Sequence, residues 1–193
     1  MKRLLCMILA LLLLLMAVGC NEKKQQVEGS QLVAVRYLDP IDDNPLVKQF
    51  FNASLNPEIS PYWENGMAHQ HIFRFDTVEE LTTFNETYRE ILDESTPPNR
   101  SPATVTEATA DMDQAFFEKN ALLAVYVISG SISYSFYVEK IEKANGTLTV
   151  YIVQEPVPKG DHVLWAMAGE MALVPIEKSE LEGIKSIDAI LTK

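Results

Sequence analysis

Apolar residues run without a break from Leu4 to Val18, and no run of that length recurs. A polar stretch from Asn21 to Ser30 comes next, and then short periodic segments. Residues 32–38 read as a strand. Asp39-Pro40, Asp42-Asp43-Asn44-Pro45 and Asn56-Pro57 interrupt the pattern beyond it, so one short helix over Leu46 to Phe51 is expected in a mostly irregular segment to Gly66. Residues 68–75 read as a strand weighted by Ile72, Phe73 and Phe75. The clearest helix runs from Thr77 to Asp93. Val78, Leu81, Phe84, Tyr88, Ile91 and Leu92 recur at spacings of three and four, which puts them on one face. Asp76 is the expected N-cap, with Glu79 three residues on as in a capping box. Ser95 to Pro102 carries three prolines and reads as a stiff exposed loop.

The second half is strand-rich. Asp111 to Phe117 predicts a short helical turn that tucks Phe116 and Phe117 inward. Leu122 to Ile128 is almost wholly apolar, the signature of a central strand covered on both faces. Ile132, Tyr134, Phe136 and Val138 alternate with polar residues beyond a Ser129-Gly130-Ser131 turn. Asn145-Gly146 marks a two-residue hairpin, since both turn positions need positive φ. Leu148, Val150 and Ile152 alternate after it, Val163–Ala168 and Met171–Ile176 read as a further hairpin or broken strand, and Ile187–Leu191 as a last strand. The expected fold is α+β: an antiparallel sheet with one long amphipathic helix and a shorter helical turn packed on it. A parallel α/β sheet is disfavoured, because the C-terminal strands succeed one another without crossover helices.

The leader is short for a membrane span, which wants about 20 apolar residues. Lys2 and Arg3 before it, and small residues closing it, give it the form of a secretory signal. Ala17-Val18-Gly19-Cys20 resembles the lipobox of bacterial lipoprotein precursors, with Ala17 where leucine is usual. The resemblance implies cleavage before Cys20, lipidation of Cys20, and anchoring on the extracytoplasmic face of a membrane. Two or three acyl chains make such an anchor stable, at about 0.8 kcal/mol per buried methylene. The organisation expected is a signal over residues 1–19, a lipidated Cys and polar tether over 20–31, and one domain over 32–193. That domain divides, if at all, into halves 32–103 and 104–193.

Loss of Lys2 and Arg3 takes the formal charge from −11 to −13. That disfavours nucleic acid and anionic head groups as partners. Cys6 leaves with the signal and Cys20 is lipidated, so the folded part has no thiol for a disulfide, a metal or a nucleophile.

Few residues carry recognisable chemistry. No Gly-x-Ser-x-Gly elbow occurs, no glycine loop to cradle a phosphate, and no cofactor is expected. His69-Gln70-His71 puts two imidazoles on one face if the segment is a strand, and His162 or Glu64 is the available third ligand. A metal-dependent hydrolase on His69, His71 and His162 is the alternative to a binding protein. The commoner reading is two surface histidines near a strand start, with no metal site, because neither His-Glu-x-x-His nor a Cys/His cluster supports one. Asp111 and Asp113 lack the rest of a calcium loop and suit a helix N-cap better. Tyr62, Trp63, Tyr134, Tyr137, Tyr151 and Trp165 are candidates to stack on sugar or peptide; Tyr62 and Trp63, in an irregular segment, have the best claim to a binding role. The proline-rich loop 95–102 suits a protease inhibitor as a weaker reading.

From Asp111 onward the chain carries Phe116-Phe117-Glu118-Lys119-Asn120-Ala121-Leu122, Ser129-Gly130-Ser131, Asn145-Gly146 and Pro156-Val157-Pro158-Lys159-Gly160. This set resembles the C-terminal domain of PrcB-type protease-complex subunits and related clostridial lipoproteins. The motifs are turns and core positions, and they cover less than half the chain. The resemblance implies a non-catalytic accessory that assists or restrains a surface protease, and it supplies no catalytic residues.

Overall fold

A computed structural model describes residues 26–59, 64, 67–92, 104–131, 133–157, 159–160 and 167–193. Cys20, Tyr62, Trp63, His162, Trp165 and the loop 95–102 lie outside these residues. Strands β1 (Gln31–Val35), β3 (His71–Phe75), β4 (Asn120–Ser129) and β7 (Ala168–Glu177) form one sheet in the order β1-β7-β4-β3. Every pair in it is antiparallel. Strands β2 (Met67–His69), β5 (Phe136–Ala144), β6 (Thr147–Gln154) and β8 (Ser186–Thr192) form a second, in the order β2-β8-β6-β5. The helices are α1 (Pro45–Asn52), α2 (Val78–Leu92), α3 (Val105–Ala108) and α4 (Gln114–Lys119), and a 3₁₀ turn spans Lys178–Leu181.

The α+β class is as expected, but the strands divide into two sheets rather than one. The first sheet is the middle layer. Leu122, Ala124 and Tyr126 of β4 and Met171 and Leu173 of β7 face a core shared with α1 and α2. Their neighbours Leu123, Val125, Val127, Ala172 and Val174 face a second core shared with Leu148, Val150, Ile152, Ala189 and Leu191. Period-2 alternation with both faces buried is why β4 reads as a continuous apolar run.

The second sheet also departs from expectation in direction. β6 and β8 run parallel, Thr147 opposite Ser186 through Val153 opposite Thr192. A parallel pair needs a crossover, ordinarily a helix. Here β7 supplies it from the middle sheet, followed by the 3₁₀ turn, so an absence of helices between strands does not exclude parallel pairing. The β5–β6 hairpin turns at Asn145 and Gly146, with φ of 53° and 80°, as its sequence predicts.

Helix starts obey local chemistry. Asn44 caps α1 through Leu46 N–H, with Pro45 in the first turn. Asp113 caps α4 through Phe116 N–H at 3.0 Å. At α2 the cap is Thr77, one residue later than expected: its Oγ1 accepts from Glu80 N–H at 3.2 Å, while Glu80 reaches back to Asp76 N–H at 2.7 Å. The Asp76 carboxylate instead pairs with Arg74 at 2.8 Å. Leu81, Phe84, Tyr88, Ile91 and Leu92 form the buried stripe of α2. α3, capped by Thr104, has too short an apolar pattern to be read from sequence.

The packed part begins earlier than residue 32. Val27 N–H donates to Val138 C=O at 3.0 Å, and the Ser30 hydroxyl donates to Val27 C=O at 2.7 Å. Residues 26–30, part of the expected tether, are therefore held against β5.

One close approach joins β1, β4 and β7. The Tyr126 hydroxyl, fully buried, accepts from Leu38 N–H at 2.6 Å and donates to Arg36 C=O at 3.1 Å. Gly169 passes over this junction. A Cβ there would lie 2.6 Å from Arg36 O and 2.9 Å from the Tyr126 hydroxyl. Backbone and a doubly bonded hydroxyl have little room to retreat, so Gly169→Ala is expected to destabilise by about 2–3 kcal/mol. Gly130→Ala, with nothing within 4 Å of its Cβ, is the control and should leave the urea midpoint unchanged. Equal midpoints for the two variants would show that the junction yields.

Candidate functional site

Residues 68–75 are read from sequence as a single strand, yet the segment, which begins at Met67, belongs to both sheets. β2 pairs with β8 in the outer sheet, and β3 pairs with β4 in the middle one. Gln70 is the residue between them and is fully buried. Its Nε2 donates to Ala68 C=O and His69 C=O at 3.0 and 2.9 Å, and its Oε1 accepts from Ile128 N–H at 3.2 Å. Its own N–H donates to Ala189 C=O at 2.8 Å, and its C=O accepts from the Asn56 amide at 3.0 Å. A chain leaving one ladder for another strands its backbone groups, and this single side chain satisfies two of them, His69 C=O and Ile128 N–H, while adding a second bond to Ala68 C=O, which the ladder with Leu191 already engages.

The switch separates the two histidines. His69 is on the outer sheet, half-exposed, with Nδ1 at 3.0 Å from Asp188 Oδ1. His71 is 2 % exposed, packed on the Phe51 ring at 4.6 Å between centroids. Both its ring nitrogens lack a hydrogen-bond partner among the described residues. Strand alternation would have put them side by side; the change of sheet at Gln70 breaks it. No group of three His, Cys, Asp or Glu able to hold a metal occurs among the described residues. Glu64 is tied by backbone bonds to Met67 and lies near the strand start.

Helices pack on the middle sheet, so the outer face of the second sheet is open among the described residues. Strand register sets its rows. Lys140, Tyr151, Ile190 and His69 lie across it in one row, with Glu142, Thr149 and Asp188 in the next. Lys140 Nζ sits 4.4 Å above the Tyr151 ring and 3.0 Å from Glu142. The Glu142 carboxylate raises the Lys140 pKa, and the Lys140 ammonium lowers that of Glu142. Glu142 beside the Tyr151 hydroxyl raises the tyrosine. The face thus offers an aromatic ring, a carboxylate–imidazole pair and hydroxyls in register across hydrogen-bonded strands. That suits recognition of a polar surface; among the described residues it holds no nucleophile with an adjacent base.

Of the other sequence candidates, Tyr134 is partly buried against the core between the sheets, and Ser131 is buried. Asp113 is a helix cap. The residue that sequence reasoning passed over is Gln70, although a long polar amide leading into Ile72-Phe73 is a signal that something other than packing is needed there.

No protein-family model, no curated protein and no solved structure matches this chain.

The corner can be tested at both of its buried polar side chains. Gln70→Leu keeps the bulk but leaves His69 C=O and Ile128 N–H without partners, and should cost about 3 kcal/mol in urea unfolding; a loss below half of that would assign the corner's stability to packing. His71 titrates with the opposite sign to a paired histidine. Burial lowers its pKa from 6.5 to about 4, so between those values the unfolded chain takes up a proton that the folded one refuses. Stability from this group is complete above pH 6.5 and falls as pH drops towards 4, by about 3 kcal/mol in all. His71→Phe should remove that slope relative to wild type. Parallel stability profiles from pH 7 to 4 would contradict it.

Proposed function

We propose that the protein is a lipid-anchored, non-catalytic binding or accessory module on the extracytoplasmic face of a bacterial membrane. The observation that carries this reading is Cys20, placed directly behind the apolar leader in Ala17-Val18-Gly19-Cys20. Folded structure begins by Gln26, so only about six residues separate the thiol from the domain, a reach of roughly 20 Å when extended. An anchored domain on so short a leash works close to the bilayer, and its charge of −13 keeps it off anionic head groups.

The open face of the outer sheet supports binding over catalysis. Lys140 pairs with Glu142 and His69 with Asp188 on that face, and the buried imidazole of His71, which has no hydrogen-bond partner among the described residues, packs against Phe51. The finer reading, an accessory that assists or restrains a surface protease, rests on the resemblance of residues 111–193 to PrcB-type subunits.

Mass spectrometry of the N-terminal peptide from bacterial membranes tests the anchor. The expected result is cleavage before Cys20 with a diacylglyceryl group on its sulfur, and release of Cys20→Ser into the soluble fraction. An intact leader or an unmodified thiol overturns it. Cross-linking in the same membranes tests the binding role, which fails where the anchored protein yields no cross-linked partner.

A further inference from the structure

β3 is one of the two edge strands of the middle sheet, β1 being the other, and the outward backbone groups of β3 account for themselves residue by residue. Ile72 N–H donates to the Ser54 hydroxyl at 3.1 Å, and Ile72 C=O accepts from Leu55 N–H at 2.8 Å. Both groups therefore point away from β4, and Ile72–Val125 is a non-hydrogen-bonded pair of the ladder. Such pairs alternate, so Arg74, opposite Leu123, also turns its N–H and C=O outward. Asp76 N–H is taken by Glu80. Of these outward positions, Arg74 alone has no partner for either group among the described residues.

A groove lies on each side of that gap, and Arg74 and Leu55 border both. The helix-side groove, about 560 Å³, is floored by Phe73, Phe75 and Phe84 and rimmed by the exposed Glu79. The other, about 280 Å³, runs towards β8 along Ile184 and Ile187. Leu55, between them, is 51 % exposed.

We propose that this edge receives an extended polypeptide segment of a partner protein as a short fifth strand. The inference rests on the binding-module reading and names the partner's chemistry. At Ile72 the Ser54 hydroxyl fills both outward groups, accepting from the N–H and donating to the C=O at 3.1 Å each; at Arg74, between two grooves that take alternate side chains, an extended peptide backbone supplies the same donor and acceptor from one residue. The incoming residue opposite Arg74 exchanges both bonds and sends its side chain towards Ile184 and Ile187. Its two neighbours, opposite Phe73 and Phe75, point to the other face and enter the aromatic-floored groove. Ser54 and Glu80 cap the edge on either side, so the added strand is held over about three residues. The carboxylate of Glu79 at the groove rim selects a basic residue flanking them.

The probe is a seven-residue peptide alternating valine and threonine with a lysine at each end, added to the ¹⁵N-labelled full chain in detergent micelles. The expected result is slowed exchange of the Arg74 amide and shifts confined to residues 72–84 and to Leu55, Ile184 and Ile187, which border the two grooves. N-methylation of the peptide's central residue, which deletes the donor to Arg74 C=O, weakens binding about tenfold. Glu79→Lys, on an exposed helix position, reverses the preference between lysine-flanked and glutamate-flanked peptides. Absence of binding overturns the proposal, as do equal affinity of the N-methylated peptide or shifts centred on Tyr151. An Arg74 amide already protected without peptide overturns it too, since the chain's own segments then fill the edge. Failure here, with a cross-linked partner in membranes, removes this edge and keeps the binding role; failure of both removes the binding role.

Discussion

The arrangement depends on burying one carboxamide. Gln70 carries the chain from the outer sheet into the middle sheet within a single residue, and at 0 % exposure its bonds cannot be exchanged for bonds to bulk solvent. In an apolar interior each abandoned N–H or C=O costs more than a hydrogen bond normally contributes, because its hydration is lost with nothing in return. A side chain with two donors and an acceptor on a three-bond stem meets that need at a corner; an aliphatic one cannot. Once the corner is fixed, β2 is placed against β8 and β3 against β4. The two sheets are then joined covalently at the point where their shared core begins.

The middle sheet gains its position from that join. Its strands carry two independent apolar sets, odd and even, one for the helices and one for the outer sheet. This explains why β4 and β7 bury nearly every side chain while β5 exposes Glu139, Lys140, Glu142 and Lys143. It also explains the severity of close approaches such as Gly169 over Tyr126: a layer packed on both faces cannot shift in one direction without compressing the other.

Legibility from sequence tracked the range of the forces involved. Helix α2, the Asn145-Gly146 hairpin and the double-sided burial of β4 were all readable, because each is encoded within a few residues by period, turn geometry or composition. The division into two sheets was not, since residues 67–75 keep strand-like bulk straight through the corner and only Gln70 interrupts it. The parallel β6–β8 pairing was hidden for a related reason: the crossover is a strand of another layer, indistinguishable by pattern from a hairpin partner. The histidines show the same limit at a site. Spacing of two places His69 and His71 together on any uninterrupted strand, and a non-local change of sheet sends one to the Asp188 carboxylate and the other into an aromatic core.

An unpaired strand edge invites association, and proteins usually close it. β5 is closed in several ways at once: Val27 pairs at Val138, a bulge at Glu139 shifts the register, and lysines and glutamates line the rest. β3 is closed at Ile72 by Ser54 and Leu55, and at Asp76 by Glu80, through bonds that are local and specific. Against that background the open pair at Arg74 is not general neglect of the edge. The side chain beside it is engaged with Asp76, which holds the guanidinium along the strand and leaves the backbone approachable between two grooves. A position guarded on both flanks and open in the middle limits what can join it to a short extended segment, and that limit is what separates recognition from indiscriminate strand addition.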